Sequence, residues 1–480
     1  MPYYVFAIGG TGARCLESLL YLCAMGLGPQ KLHPILVDPD NGNGNLNRTK
    51  ELIIRYREIR KQINNPEPQS LFYTDVIFNE DETRPDVNVQ IPNSFDPNSG
   101  LNAGMNTLGN FIEYQTTLDK GNGKYLADLL FSGDELEMDM ARGYRGVPSI
   151  GSILMTNIEN SPFWDVLTGS LAADPHSRVF VFASVFGGTG ASGYPVISRL
   201  IKNKAPLAKV GGALLLPYFK LPDPKNLMQY KKEKVLPDSN SFMINAKAAC
   251  EFYQNRFSGN DSNYILGDDM ENCKEYENYQ IGSKEQKNDA HMIELFAAYA
   301  ALDFWKREDK TFKNFYRIHV ENPSEKGHGG NSVSAGDLPD QLKALPLERF
   351  ALLYLYVSDF YALVEGDKTS QLNKVAWLRK AKLKAADVMA HRDELKVIND
   401  FCTAYKDWIK QNHSNSAPLK VLNEDLYLDT LVLGDPKRYE GYPINRLETE
   451  LYKTAARHNN LTETLIVAAS NAKIANMGGK

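Results

Sequence analysis

The sequence is poor in the features that mark specialised chains. Its five cysteines among 480 residues (Cys15, Cys23, Cys250, Cys273 and Cys402) lie far apart, with no paired ligand spacing and an odd total. That argues against a disulfide framework or a thiolate zinc site and fits reduced, buried thiols of a cytosolic protein. Strong charge is missing as well, since the formal net charge is only −5. A chain built chiefly to hold nucleic acid or an anionic membrane would be basic. Long apolar runs are absent: the longest, Phe350 to Val357, is bounded by Arg349 and Asp359 and is too short to span a bilayer. The first apolar segment, Tyr3 to Ile8, runs into glycines and does not continue as a signal peptide. The expectation is a soluble cytoplasmic protein without integral membrane contact. Its length suits two or three domains with sizeable cores.

What the chain does contain is glycine at the ends of apolar runs. Phe182-Ala-Ser-Val-Phe-Gly-Gly-Thr-Gly-Ala-Ser-Gly193 is a β-type run that breaks into glycines, with Thr189 and Ser192 among them, and continues as an apolar helix start from Tyr194. Gly187, Gly188, Gly190 and Gly193 would bare backbone N–H groups at a helix N-terminus, where the dipole favours a phosphate. The opening repeats the pattern. Strand Met1 to Ile8 is followed by Gly9-Gly10-Thr11-Gly12-Ala-Arg14, then by Leu16, Leu19, Leu20 and Cys23 at helical spacing. The three-residue offsets of a full dinucleotide fingerprint are absent. A second strand, Pro34 to Val37, ends in Asp38 and Asp40, and the polar loop Asn41 to Arg48 leads to a helix expected over Thr49 to Ile63. Acidic residues there meet a ribose or a magnesium ion, or else cap the helix.

From about residue 64 to 133 the composition turns to Asn, Pro, Asp and Gly, with helical pieces at Leu108 to Tyr114 and Tyr125 to Phe131. This reads as an elaborated insertion. Arg142-Gly-Tyr-Arg145-Gly146-Val-Pro-Ser-Ile-Gly151 follows, a glycine-rich turn whose arginines could pair with phosphate or simply with surface carboxylates. Val210 to Phe219 and Tyr264 to Gly267 read as strands, the latter ending in Asp268 and Asp269, and Ser241 to Phe257 as a helix. Strands alternating with helices, each strand emptying into a polar or glycine loop, predict a parallel α/β sheet with its ligand at the strands' C-terminal edge. Asn288 to Lys306 predicts a helix buried between two layers. Beyond the Gly327 to Gly330 loop, Leu345 to Val364 and Gln371 to Gln411 read as long helices and Val421 to Leu433 as strand-like. Ile444 to Arg457 reads as a helix and Leu465 to Ala469 as a last strand. The division is a nucleotide-binding domain over 1–285, a central connecting helix within 286–310 and an α-rich domain over 311–480.

Three glycine loops at strand ends, then a buried central helix and a second domain, resemble the tubulin and FtsZ superfamily, and most of all the prokaryotic tubulin-like proteins. Phe186-Gly-Gly-Thr-Gly-Ala-Ser-Gly193 is similar to the family's GGGTGSG signature, with Phe186 where the first glycine stands. Gly9 to Gly12 occupies the place of the first phosphate loop. Gly143 to Gly151 looks like the loop that senses the γ-phosphate, its glycine-asparagine-proline core altered to Gly146-Val-Pro148. The resemblance implies a tubulin-like fold that binds GTP or GDP, with ATP an alternative, together with Mg²⁺. It implies that Gly9 to Gly12 and Gly187 to Gly193 cradle the phosphates, that Arg145 and Gly146 face the terminal one, and that Asp268 or Asp269 and Asn288 hold the base. A carboxylate could accept from N1–H and N2–H₂ of guanine. It further implies self-assembly, with hydrolysis completed by Asp303, Glu308 or Asp309 of the next subunit, although no asparagine-aspartate loop singles one out. Other protein partners would meet the insertion or the α-rich domain. Two other readings stand beside this one: a nucleotide-binding scaffold that neither hydrolyses nor polymerises, and an adenylating enzyme of the ubiquitin-activating type. The last rests on Ile8 to Gly12, Val37 to Asp40 and Asn45-Leu-Asn-Arg48.

Overall fold

The computed structural model describes residues 2–78, 94–96, 107–116, 122–222, 235–236, 239–268, 273, 275, 284–312, 315–317, 333–334, 338, 345–414, 419–420, 444–455 and 460–472. Val421 to Leu433, the Gly327 to Gly330 loop and Asp269 lie outside them.

The frame is a parallel sheet. Its strands are β1 (Tyr3–Ile8), β2 (Lys31–Val37), β3 (Asp75–Val76), β4 (Ser94–Phe95), β5 (Arg178–Ser184), β6 (Lys209–Leu215), β7 (Ser262–Leu266) and β8 (Phe315–Arg317). They run in the order β3-β2-β1-β5-β6-β7-β8, with β4 also on β2. Every residue of β1 and of β5 is buried, which is why both read as unbroken apolar runs and not as alternation. Two further short strands, β9 (Val333–Ser334) and β10 (Leu419–Lys420), pair with each other.

Helices cover both faces. On one lie α1 (Gly9–Ala24) and α2 (Gly44–Lys61). On the other, after the short α3 (Leu108–Phe111), α4 (Asn122–Leu130) and α5 (Gly133–Leu136), come α6 (Pro148–Met155), α7 (Pro162–Ala173), α8 (Gly188–Lys204) and α9 (Ser239–Asn255). Helix α10 (Met292–Lys306) returns to the first face and packs on α1, and twelve of its residues are buried. The described C-terminal part is almost wholly helical: α11 (Leu345–Glu365), α12 (Thr369–Leu372), α13 (Ala376–Lys380), α14 (Ala385–Ala390), α15 (Arg392–His413), α16 (Ile444–Thr454) and α17 (Leu461–Asn471). Its apolar side chains join those of α1, α2 and α10 in one continuous cluster, centred on Tyr21, Phe72, Phe350, Phe401 and Tyr405. No described helix is long and apolar enough to cross a membrane.

Several element boundaries differ from those the sequence predicts. Leu465 to Ala469 is helical within α17: Asn460 accepts from the Glu463 N–H and starts the helix, and burial outweighs the β-branched residues. The long helix expected over Gln371 to Gln411 is broken into α12 to α15, with Lys382 at φ 59° between two pieces. The second helix begins at Gly44, five residues before Thr49, because Asn43 caps it; neither Asp38 nor Asp40 does. The central helix begins at Met292, capped by His291, so Asn288 precedes it.

Candidate functional site

Strand β1 pairs with β2 on one side and β5 on the other, so the chain leaves the sheet in opposite directions from β1 and β5. The two loops that follow these strands therefore flank a crevice at the C-terminal edge, where doubly wound sheets bind ligands. The pocket found there is lined by Gly9, Gly10 and Thr11 from the first loop, by Gly187, Gly188, Thr189 and Gly190 from the second, and by Gly143 to Gly146 from a third segment.

The stretches the sequence reads as glycine loops are themselves first turns of helices: α1 starts at Gly9, directly after β1, and α8 at Gly188. Helix α1 has Ile8 at its N-cap and α8 has Gly187, neither gives a side-chain cap bond, and neither helix has an acidic residue in its first turn. The first N–H groups of an α-helix have no intrahelical acceptors, so two sets of donors and two positive dipole ends face one space. The loops must also lie close to the sheet. A Cβ on Gly190 would stand 2.8 Å from both N and O of Ser184. Gly9 has φ +70°, and in the third segment Gly143, Arg145 and Gly146 have φ +78°, +47° and +81°. A non-glycine residue in the left-handed region is backbone strain of the kind that collects at binding sites.

Asp38 and Asp40 also line the pocket and are 5% and 7% exposed. Asp38 accepts from the Asp40 N–H at 3.0 Å, and Asp40 from the Gly42 N–H at 3.0 Å. Burial pushes the Asp38 carboxyl up to about 7; the neighbouring Asp40 and Asp96 add to the shift, while the Asp40 N–H opposes it. Among the described residues no group of three or more His, Cys, Asp or Glu could hold a metal ion by itself. Asp38 and Asp40 are nevertheless two carboxylates in one pocket, and magnesium is bound by one or two carboxylates together with phosphates.

The opposite wall is aromatic and amide-rich, with Phe186, Phe219, Phe242, Gln286 and Asn288. Beneath it lies a buried polar network that was not legible in the sequence. Arg14, 2% exposed, donates to Glu294 (2.5 Å), Tyr218 Oη (2.7 Å) and Asn288 Oδ1 (3.2 Å). Tyr218 donates in turn to Glu294 at 2.6 Å. Asn288 is further held by Asn45, which donates to its side chain and accepts from its N–H, both at 2.9 Å. Arg48 pairs with Glu17 at 2.8 Å and donates to the Asn288 carbonyl at 2.9 Å. The signal available was Arg14 itself, a charged residue set between Ala13 and the apolar Cys15 and Leu16 of α1: a cation buried there needs an acid elsewhere to answer it.

The other predicted residues are placed as follows. Gly12 packs against Ala7 and Phe182, Gly193 against Ile8, and Ser192 donates to the Thr189 carbonyl at 2.9 Å. These three shape the loops from behind. Asp268 stands 3.8 Å from His291 Nε2 and is not among the residues that line the pocket. His291 is buried and neutral, its pKa lowered to about 3 by burial and by Arg14. Asp303, Glu308 and Asp309 lie at the far end of α10, by the N-terminal edge of the sheet. There Asp303 is bound by Arg307 (2.5 Å) and Tyr264 (2.6 Å), and Asp309 by Arg178 (3.0 Å). Within one chain they do not meet the pocket.

No family model matches the chain, and no curated protein does. Among solved structures, the chain is similar to CetZ2 from Haloferax volcanii in a GTPγS-bound protofilament, at 12% identity and a TM-score of 0.30. That likeness covers 64% of this chain and 58% of the other, so the chain spans little more than half of that protein's length.

Proposed function

We propose that this is a tubulin/FtsZ-like nucleotide-binding protein that hydrolyses GTP and assembles with copies of itself. The observation that carries the reading is the pair of uncapped helix starts at Gly9 and Gly188, facing each other across one pocket. A chain of phosphates would satisfy both sets of N–H groups, with Arg145 and Gly146 closing on the terminal one. Asp38 and Asp40 would hold a magnesium ion beside the phosphates, where its double charge offsets theirs. The base would lie against Phe219 and Phe242, with Gln286 and Asn288 at its edge.

Among the described residues, the carboxylates that line the pocket are Asp38, Asp40 and Glu285, whereas Asp303, Glu308 and Asp309 stand at the opposite edge of the sheet. A second copy stacked end to end would bring its acidic turn to the first copy's pocket and orient water for in-line attack. Neither copy alone would hold a complete site. The non-hydrolysing scaffold remains a specific alternative, because Asp303 and Asp309 are already engaged by Arg307 and Arg178. The adenylating-enzyme reading stands as the second alternative, with Asn45 held by Asn288 and Arg48 paired with Glu17.

The test is light scattering with phosphate release, in magnesium and GTP, ATP, a slowly hydrolysed GTP analogue or no nucleotide. Expected are scattering that rises above a threshold protein concentration only with GTP or its analogue, and phosphate release per subunit that rises with it. Both should be lost in Gly190→Arg and weakened in Thr189→Ala. Saturable binding without scattering or hydrolysis would establish the scaffold, and a rate per subunit independent of concentration would sink the shared site.

A further inference from the structure

The C-terminal end of α10 is held in a way that nothing above explains. Arg178, the first residue of β5 and 6% exposed, turns its guanidinium onto this end. Nη1 donates to the carbonyl oxygens of Phe304 and Trp305, the latter at 2.7 Å, and Nη2 to the carbonyl of Arg307 (2.5 Å) and to Asp309 Oδ1 (3.0 Å). The cation also lies 5.8 Å from the centroid of the Phe304 ring and 5.2 Å from that of Phe312, and these two rings stack on each other. The last carbonyls of a helix have no intrahelical donors, and a cation there meets the negative end of the dipole. A capping side chain is ordinarily local. Here it comes from more than a hundred residues earlier in the chain, from a strand whose other end is the Gly187 loop.

We propose that Arg178 is a positioning residue for hydrolysis: it fixes the end of α10, which carries Asp303, and the turn after it, which carries Glu308 and Asp309, so that both are presented preformed to the pocket of the next copy. This rests on the reading that a neighbour completes the site. The flat, forked guanidinium is required because it serves carbonyls on both sides of the turn at once; a lysine keeps the charge and loses the fork. Arg178 and the phosphate loop stand at opposite ends of a seven-residue strand, a span of roughly 23 Å. Arg178 therefore acts on a neighbour's chemistry and leaves its own chain's nucleotide binding alone.

The experiment compares Arg178→Lys with the wild type, with Arg178→Met as a second variant. Affinity is measured with a fluorescent GTP analogue below the assembly threshold, hydrolysis above it, and amide hydrogen exchange over 305–312 reports the turn. Expected for Arg178→Lys are an affinity within about twofold of wild type, faster exchange over the turn, and hydrolysis reduced on the order of 10- to 100-fold, as misplaced catalytic groups give. An equimolar mixture with Gly190→Arg should recover hydrolysis above the sum of the two variants alone, since one supplies a sound pocket and the other a sound turn. Wild-type hydrolysis by Arg178→Lys would overturn the role and leave the shared site standing. Affinity and rate falling together without recovery in the mixture would reduce Arg178 to a folding residue. Concentration-independent hydrolysis by the wild type, or none, would sink the shared site and this role with it.

Discussion

The two edges of the sheet treat their helix ends in opposite ways. At the N-terminal edge, Arg178 reaches across the fold to satisfy the carbonyls that end α10. At the C-terminal edge, α1 and α8 begin on Ile8 and Gly187 with no side-chain acceptor, no acidic residue in the first turn and no proline at the first positions. The other helices of eight residues or more whose starts are described all have at least one of these devices. Asn43 caps α2 and Asn460 caps α17, while His291 and Glu294 cap α10 and its N-cap reciprocally. Pro148 and Pro162 begin α6 and α7, and Asp393 and Glu394 occupy the first turn of α15. A chain that so consistently completes its helix starts leaves two incomplete, side by side, in one pocket. That contrast is what the proposed nucleotide site rests on.

The largest effect should come from removing the contrast. Gly187 has φ −88° and ψ 168°, which any residue adopts at an N-cap, and an added Cβ would meet only Ser184 Oγ, at 3.0 Å. Gly187→Asp should therefore cap α8 from within. Thermal or denaturant unfolding of the nucleotide-free protein should show unchanged or slightly raised stability, by a few tenths to about 1 kcal/mol. GTP affinity should fall by about 100-fold or more, equivalent to about 2.7 kcal/mol, because a carboxylate occupies the donors and repels the phosphates. Undiminished nucleotide binding by this variant would show that the anion does not sit on α8.

A second test uses the carboxylate that follows β2, beside the start of α1. Asp38 titrates near 7 in the fold, against an ordinary value of about 3.9 for the unfolded chain. Between these values the folded state binds the extra proton, so this group's contribution is complete below about pH 4 and is lost as pH rises through about 7. The loss amounts to about 2–4 kcal/mol in nucleotide-free protein. His33 and His291, with pKa values lowered to about 4 and about 3, slope the other way, since they must stay neutral to stay buried. The difference between wild type and Asp38→Asn isolates the carboxylate: near zero at pH 4, with the variant more stable by about 2–4 kcal/mol at pH 8. With magnesium and GTP present the order should reverse. A parallel pair of pH profiles would mean that the buried carboxyl is not being forced to ionise.

Much of this edge was legible in the sequence, because an apolar run that breaks into glycine and resumes as a helix leaves little freedom: β1, α1, β5 and α8 follow in the predicted order, although the helices start at Gly9 and Gly188 and take in the glycines read as loops. What was not legible depended on partners distant in the chain. Gly44 and Asn45 are poor helix formers, so Asn41 to Arg48 reads as loop, yet Asn43 caps the helix and Asn288 holds Asn45 in it. Leu465 to Ala469, with the β-branched Ile466 and Val467, suggests a strand until the cluster that buries Leu465, Ile466, Ala468 and Ala469 is known. The buried Arg14, Tyr218 and Glu294 group joins three elements across 280 residues, and no local periodicity announces such a group. Asp303 and Asp309 could be named as carboxylates after the central helix, but their pairing with Arg307 and Arg178 could not.

The smallest effect bears on whether the capped helix starts are independent of the ligand. Asn43 lines the same pocket, but its side-chain oxygen accepts from the Asn45 and Leu46 N–H groups, and its amide donates to Gln286 at 2.8 Å. Asn43→Ala should cost the nucleotide-free protein about 1 kcal/mol, the ordinary worth of an N-cap. At a fixed free concentration GTP stabilises a folded protein by an amount set by its affinity, so with affinity unchanged the shift in unfolding midpoint on adding the same GTP should be the same in this variant as in the wild type. A larger shift in Asn43→Ala would mean that the nucleotide takes over the N–H groups of Asn45 and Leu46. In that case α2 would be a third helix start open to the phosphates, and the division between capped and uncapped helices would fail as a guide to where the ligand lies.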